Sequence, residues 1–358
     1  MKFIYLILLF IPLLASAETR IYTLTSKPAA LESFILKTDG TLKALQSLEI
    51  PETPMTIAHS IDKKFLYLGL RAKSPQGKLL TIQLDSAGNA TLISENTFEF
   101  QLRFIVPDKT GKFLLFADYF GGQTGVLELK NGVPTGKIFS KVATEKFAHG
   151  ITLSKDNKNA YVPHTQPNSV YHFNFNEKNG TLTKVESVEG PGRDAEMFAP
   201  RHIKLHPSLP FLFTSNEHKG GISSWKVGAT GKITLQQTLS SLPKDFTGRS
   251  TAADIHITPD GKFVYVSNRG GKGASSKFGI NTIAGFSIDS QGKLSSIGFF
   301  EAAGRPRSFT ISPNGKFLIS AGQSDKKLMV SKIETSGKLK KTSIAKLKGK
   351  ATWIISLE

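Results

Sequence analysis

One short phrase recurs along the chain and decides what the chain can fold into. Pro259-Asp260-Gly261-Lys262-Phe263-Val264-Tyr265-Val266 returns as Pro313-Asn314-Gly315-Lys316-Phe317-Leu318-Ile319, as Pro207-Ser208-Leu209-Pro210-Phe211-Leu212-Phe213 and as Thr110-Gly111-Lys112-Phe113-Leu114-Leu115. Fainter copies are Asp62-Lys63-Lys64-Phe65-Leu66-Tyr67 and Asp156-Asn157-Lys158-Asn159-Ala160-Tyr161. A second marker, a hairpin glycine, falls at 40, 88, 132, 180, 231, 292 and 337, giving seven copies spaced by 44 to 61 residues. A period of this length marks a repeat architecture. Each copy runs through an apolar alternating stretch, a Gly-Lys turn, a β-branched and aromatic stretch, a third stretch, the glycine turn and a short fourth stretch. That pattern predicts four antiparallel strands per copy. Long amphipathic helical patterns are absent, so the expected fold is all-β, a seven-bladed β-propeller with four-stranded blades.

The two ends of the chain predict how the ring closes. The first copy begins directly at its second strand, Arg20-Ile21-Tyr22-Thr23-Leu24, and the chain finishes with an unpartnered first strand, Trp353-Ile354-Ile355-Ser356-Leu357. The C-terminal strand is expected to complete the N-terminal blade. Residues 1–17 stand apart: Lys2 precedes an apolar run from Phe3 to Leu14, followed by Ala15-Ser16-Ala17. This is the pattern of a secretory signal peptide with a small-x-small cleavage site, and its apolar run is too short to span a bilayer. The expected organisation is a signal peptide over 1–17 and a single propeller domain over 18–358, exported to the periplasm or beyond.

Composition narrows the chemistry. The 46 Lys and Arg exceed the 28 Asp and Glu by 18, a surplus that can mark nucleic-acid or membrane partners. Most of the basic residues are lysines scattered through turns such as Asp260-Gly261-Lys262 and Gln291-Gly292-Lys293, which reads as a solvated surface. No nucleic acid, no membrane span and a monomer are expected. The chain has no Cys, so thiol catalysis and Cys-ligated metals are excluded, and no other metal-ligand spacing or cofactor motif is present.

Strands one and two of a blade are antiparallel, so the start of the first and the end of the second emerge at the same end of the disc. Superposing the repeats yields two rings of residues around one mouth. The first is Met55, Gln101, His149, Arg201, Ala253, Arg307 and Thr352; the second is Ser26, Arg71, Tyr119, Thr165, Glu217, Arg269 and Gln323. His149, Arg201, Glu217, Arg269 and Arg307 come from four successive blades. Arginine suits planar, bidentate binding of carboxylate, phosphate or an oxyanion. Those five, with Gln323, Tyr119 and Arg71, are the candidate site residues. His202, His206 and His256 read as packing histidines, and the segments 189–200 and 270–281 open onto the same mouth as possible lids.

The segments Pro200-Arg201-His202-Ile203-Lys204-Leu205-His206-Pro207, Ser215-Asn216-Glu217, Ala252-Ala253-Asp254-Ile255-His256-Ile257-Thr258-Pro259-Asp260-Gly261 and Ser267-Asn268-Arg269-Gly270 resemble the signature of the lactonase family of seven-bladed propellers. That family includes β-propeller 6-phosphogluconolactonases and carboxymuconate cyclases. The resemblance spans nearly the whole chain. It implies an active site at the channel mouth, with His149, Arg201, Glu217 and Arg269 as the catalytic set; Arg307, Gln323, Tyr119 and Arg71, from the same two rings, are expected to bind substrate. Where the family has Pro-His-x-His this chain has Lys146-Phe147-Ala148-His149, keeping only the second His. The expected activity is hydrolysis of an anionic lactone without cofactor or metal, with Glu217 or His149 as base and Arg201 and Arg269 as cationic clamp. A cyclase or lyase acting on a polycarboxylate, and a non-catalytic binding propeller, are the alternatives.

Overall fold

The structure, a computed structural model, describes residues 18–71 and 76–358; the proposed signal peptide lies outside the described residues. Seven four-stranded antiparallel sheets are present, as the repeat predicts. Six of them are built from consecutive strands. The seventh joins the two ends of the chain: Lys350–Leu357 lies against Thr19–Ser26, followed by Ala30–Leu36 and Leu42–Glu49. Its register pairs Arg20 with Leu357, Tyr22 with Ile355 and Leu24 with Trp353. We number the blades from this one, with blade 2 starting at Pro54–His59 and blade 7 at Pro306–Ile311.

The recurring phrase is the turn between the first and second strands. In blade 6 the Thr258 hydroxyl donates to Asp260 Oδ1 at 2.6 Å and receives the Phe263 N–H at 3.1 Å, while Asp260 Oδ1 also receives the Lys262 N–H at 3.1 Å. Blade 7 repeats this with Ser312, Asn314 and Phe317. Short polar side chains that bond the nearby backbone are what make such turns cheap.

The second strands carry the core. Phe113–Asp118 is buried along its whole length, and successive side chains point to opposite faces, so each strand feeds the interfaces on both sides. In blade 2, Leu66 and Leu68 pack with Tyr22 and Leu24, whereas Tyr67 between them packs with Leu114 and Phe116. Neighbouring blades are also tied by tyrosines. Tyr22, Tyr67, Tyr161 and Tyr265 donate their hydroxyls to the carbonyls of Gly88, Gly132, Gly231 and Gly337 in the next blade, at 2.7 to 2.9 Å. Gly132 shows why the marker is glycine: its φ is +77°, and a Cβ there would come within 2.5 Å of Phe65, a conformation and an approach that side-chain-bearing residues resist.

Trp353 closes the channel side of the ring. It is 7% exposed and meets the Phe104 ring edge-on at 5.1 Å across the axis. Removing residues 350–358 exposes the edge of Thr19–Ser26, an open template for association. We expect the truncated protein to aggregate and to melt well below the full chain, and Trp353→Ala alone to cost about 3–5 kcal/mol. Chemical denaturation and light scattering check both; a soluble truncation with unchanged stability contradicts the closure.

Candidate functional site

Antiparallel pairing of Thr251 with Arg269 and of Pro200 with Asn216 sets the starts of the first strands beside the ends of the second strands. The ring reading needs one correction. The pairs Leu205 with Leu212, Ile257 with Val264, Ile311 with Leu318 and Pro107 with Leu114 are equivalent. Counted from them, the blade 3 residue that matches Arg201 and Arg307 is Arg103, two positions beyond Gln101. Gln101 is buried in the linker ahead of Phe104–Pro107. The signal was available, since Arg307 precedes Gly315 by the same interval as Arg103 precedes Gly111.

Four arginines therefore converge here: Arg103, Arg201, Arg269 and Arg307. One carboxylate, Glu217, answers them. Arg269 Nη2 donates to Glu217 Oε1 at 2.9 Å and to the Ala252 carbonyl at 3.2 Å, and Arg201 Nε stands 3.6 Å from Glu217 Oε2. His149 is buried beside them, its ring 5.1 Å from Tyr119 and 5.3 Å from His202, and the Arg103 guanidinium lies 5.3 Å from the Tyr119 ring centre. Of the remaining sequence candidates, Arg71 is exposed on the rim, and Gln323 is half-buried with its backbone N–H on the Arg305 carbonyl at 3.4 Å.

Arg201 is wholly buried, and its orientation is set by two residues that the sequence reading had not placed in the site. Its Nη1 donates to the Ala253 carbonyl at 2.8 Å and to His202 Nε2 at 2.9 Å. A guanidinium can only donate, so His202 Nε2 accepts and its proton sits on Nδ1, which donates to Asp254 Oδ1 at 2.8 Å. Asp254 in turn receives the Ile255 N–H at 2.9 Å and the Ser308 hydroxyl at 2.7 Å. His202 also packs against Phe104 and Trp353, so it is a packing histidine with a second task. His206 keeps to the structural role, bonding the Gly261 carbonyl at 2.9 Å and receiving the Leu209 N–H at 2.9 Å.

With Nη1 occupied, Arg201 Nε and Nη2 form a bare two-pronged edge. These two atoms, Arg103 Nε, Arg307 Nε and His149 Nδ1 are buried without a hydrogen-bond partner among the described residues. Buried polar groups in proteins are nearly always satisfied; of these five, Arg201 Nε has Glu217 Oε2 at 3.6 Å, and the other four have no protein partner among the described residues. Beside them a cavity of about 480 Å³ is lined by Glu217, Arg269, Arg249, Arg305 and Lys272.

The field is strong. Burial pushes Arg201 down to about 10, which leaves it charged at neutral pH. Burial, Arg201, His202 and Arg307 drive His149 well below its ordinary value and keep it neutral. For Glu217, burial acts upward, but Arg201 and Arg269 together outweigh it and hold the carboxylate ionised. No group of three or more His, Asp or Glu positioned to hold a metal occurs among the described residues.

Both mouth segments are pinned. Asn168 Nδ2 donates to the Gly190 carbonyl at 3.1 Å and the Gly192 carbonyl at 2.8 Å, and its Oδ1 receives the Ala199 N–H at 2.9 Å. In the 270–281 segment Lys277 N–H bonds Asp245 at 2.8 Å, and Ser275 bridges Thr247.

A closed ring of seven blades with an arginine-lined mouth defines the class, and the comparisons supply the family. The profile "Lactonase, 7-bladed beta-propeller" matches residues 19–356, so the chain belongs to that family. It is 30% identical over 311 residues to a 6-phosphogluconolactonase of Enterobacter sp. (strain 638), covering 85% of this chain and 88% of that protein. A 6-phosphogluconolactonase of Cronobacter sakazakii is likewise 30% identical, with 88% and 90% covered. Among solved structures, a protein from Lactobacillus plantarum superposes with a TM-score of 0.83 at 23% identity, covering 95% of this chain and 99% of that one. The periplasmic gluconolactonase of Pseudomonas aeruginosa superposes with a TM-score of 0.81 at 18% identity, with 95% and 99% covered.

The buried histidines make stability pH-dependent. His202 is depressed from 6.5 to about 3 by burial and then Arg201, and His164 from 6.5 to about 4 by burial. Below about pH 6.5 the unfolded chain binds protons that the folded chain refuses, so stability falls as pH drops from 6.5 toward 4 and 3. Depressed Glu217 adds a loss of the same sign below 4.5. We expect the Tm to fall steadily between pH 7 and 4; a flat profile over that window contradicts the neutral assignment.

Proposed function

We propose that the chain opens an anionic lactone at this cluster, as a 6-phosphogluconolactonase-like hydrolase. The observation that carries the reading is the set of bare donors: if Glu217 satisfied the arginines, a purely structural network would suffice, yet Arg103, Arg201 and Arg307 keep unpaired nitrogens. Family membership supports the activity, and the relatives' names support the substrate class.

In this reading the bare edge of Arg201 receives the lactone carbonyl oxygen. Water attacks the acyl carbon and gives its proton to Glu217 or His149, both deprotonated at neutral pH. The resulting oxyanion is held by Arg201, a stabilisation that grows toward the transition state. The ring C–O bond then breaks, and the leaving alkoxide takes the proton back from the same base. The product is an open hydroxy acid. Arg269, Arg249, Arg305 and Lys272 hold a remote anionic group over the neighbouring cavity. The bound anion also offsets part of the arginine field that depresses His149 and Glu217, which raises both toward the pH at which a general base works best. The reading includes export: cleavage after Ala17 gives a mature chain beginning at Glu18, monomeric and outside the cytosol, which N-terminal sequencing of fractionated cells tests.

The deciding experiment is a lactone panel on the purified protein, phosphorylated and neutral, followed by product analysis. Anionic lactones should open faster than neutral ones, and Glu217→Gln should lower turnover about 10²–10⁴-fold if it is the base. Arg201→Ala should cost about 3–4 kcal/mol in the transition state, and Arg103→Ala should cost more than Arg71→Ala. No lactone opened above the buffer rate, or near-normal turnover in both Glu217→Gln and His149→Ala, overturns the reading.

A further inference from the structure

The opposite end of the channel carries a second cavity, of about 500 Å³, to which every blade contributes from its innermost strand. Its character is the reverse of the arginine mouth. Ile57, Ile105, Ile151, Ile355 and Trp353 form an apolar wall, the Lys204 amine stands among them, and the exposed Lys109 also lines the cavity. Lys204 is half-buried, and no carboxylate lies within 4.0 Å of its Nζ among the described residues. Asp254 also borders this cavity, but its oxygens are engaged by His202, the Ile255 N–H and the Ser308 hydroxyl at 2.7 to 2.9 Å. His256 on the same wall turns its Nε2 toward Asp254 Oδ2 at 3.5 Å.

We propose that this cavity is a binding site for a monocarboxylic acid with an apolar body, its carboxylate on Lys204 and its chain against the isoleucines and Trp353. A largely apolar pocket of this volume with a few well-placed polar groups is the usual form of a small-molecule site. Burial lowers the Lys204 amine and Asp254 acts against that lowering; a carboxylate laid against the amine stabilises its charged form further while its hydrocarbon covers apolar wall. A neutral molecule meets only the wall and leaves the Lys204 amine without a counter-charge. The arginine mouth offers the opposite match, so the two ends select different acids. The proposal does not rest on the lactonase reading.

Trp353 lines the cavity and supplies the readout. In Trp225→Phe it is the sole tryptophan of the two in the chain, and its emission is titrated with octanoate and with octanol. Calorimetry on the otherwise unaltered protein repeats the titration should that variant fold poorly. Octanoate should bind saturably and about tenfold tighter than octanol, and Lys204→Met should bring the acid down to the alcohol's affinity. Glu217→Gln and Arg269→Ala, which alter only the arginine mouth, should leave octanoate binding unchanged. Equal affinity for acid and alcohol, full octanoate affinity in Lys204→Met, or loss of it in Arg269→Ala overturns the proposal.

Discussion

The channel is organised around one buried carboxylate. Asp254 is 2% exposed, and an ion withdrawn from water survives only if its lone pairs are met by donors. Those donors come from three blades: His202 from blade 5, Ile255 from its own blade 6 and Ser308 from blade 7. Because His202 must offer Nδ1–H to Asp254, its Nε2 is left as an acceptor, and only a donor such as Arg201 Nη1 can occupy that side. The bare edge of Arg201 follows from this chain of obligations. The catalytic-looking cluster is thus fixed by a residue that does not line it.

The arginine cluster shows how a propeller concentrates charge without a charged core. Each blade brings one or two positions to the mouth, so four guanidinium groups from blades 3, 5, 6 and 7 share a neighbourhood while being far apart in sequence. Their mutual repulsion is tolerated because carbonyls such as Ala253 O and Ala252 O, and the Glu217 carboxylate, take part of the charge. What is left over is a local excess of positive charge. The opposite mouth, walled largely by isoleucine, gathers no such cluster of guanidinium groups.

The fold was legible because repeats report themselves. Turn phrases and hairpin glycines lie within a few residues of the structure they specify, and the equivalence of blades extends each local reading to the whole ring. The same superposition found His149, Arg201, Glu217, Arg269 and Arg307, and it slipped at blade 3, where Gln101 was taken for Arg103. Nothing in the order of residues revealed the Asp254–His202–Arg201 chain, since its His202–Asp254 link joins positions 52 apart and its Arg201–His202 link depends on the tautomer. The pinning of 189–200 was hidden for the same reason: the anchor, Asn168, belongs to the preceding blade and is identifiable only once the loop lies over it.

The pairing of Thr19–Ser26 with Lys350–Leu357 has a consequence in time as well as space. A ribosome makes the first of these strands early and the second more than 300 residues later, so blade 1 waits for its innermost strand until the other six blades have been made. Blades 2 to 7 are each contiguous and can assemble as they emerge, with loop closures that are short and entropically cheap. The last contact is the longest loop of all. Until it forms, the growing molecule is an open arc, and the disc can close only once Lys350–Leu357 has been made and reaches Thr19–Ser26.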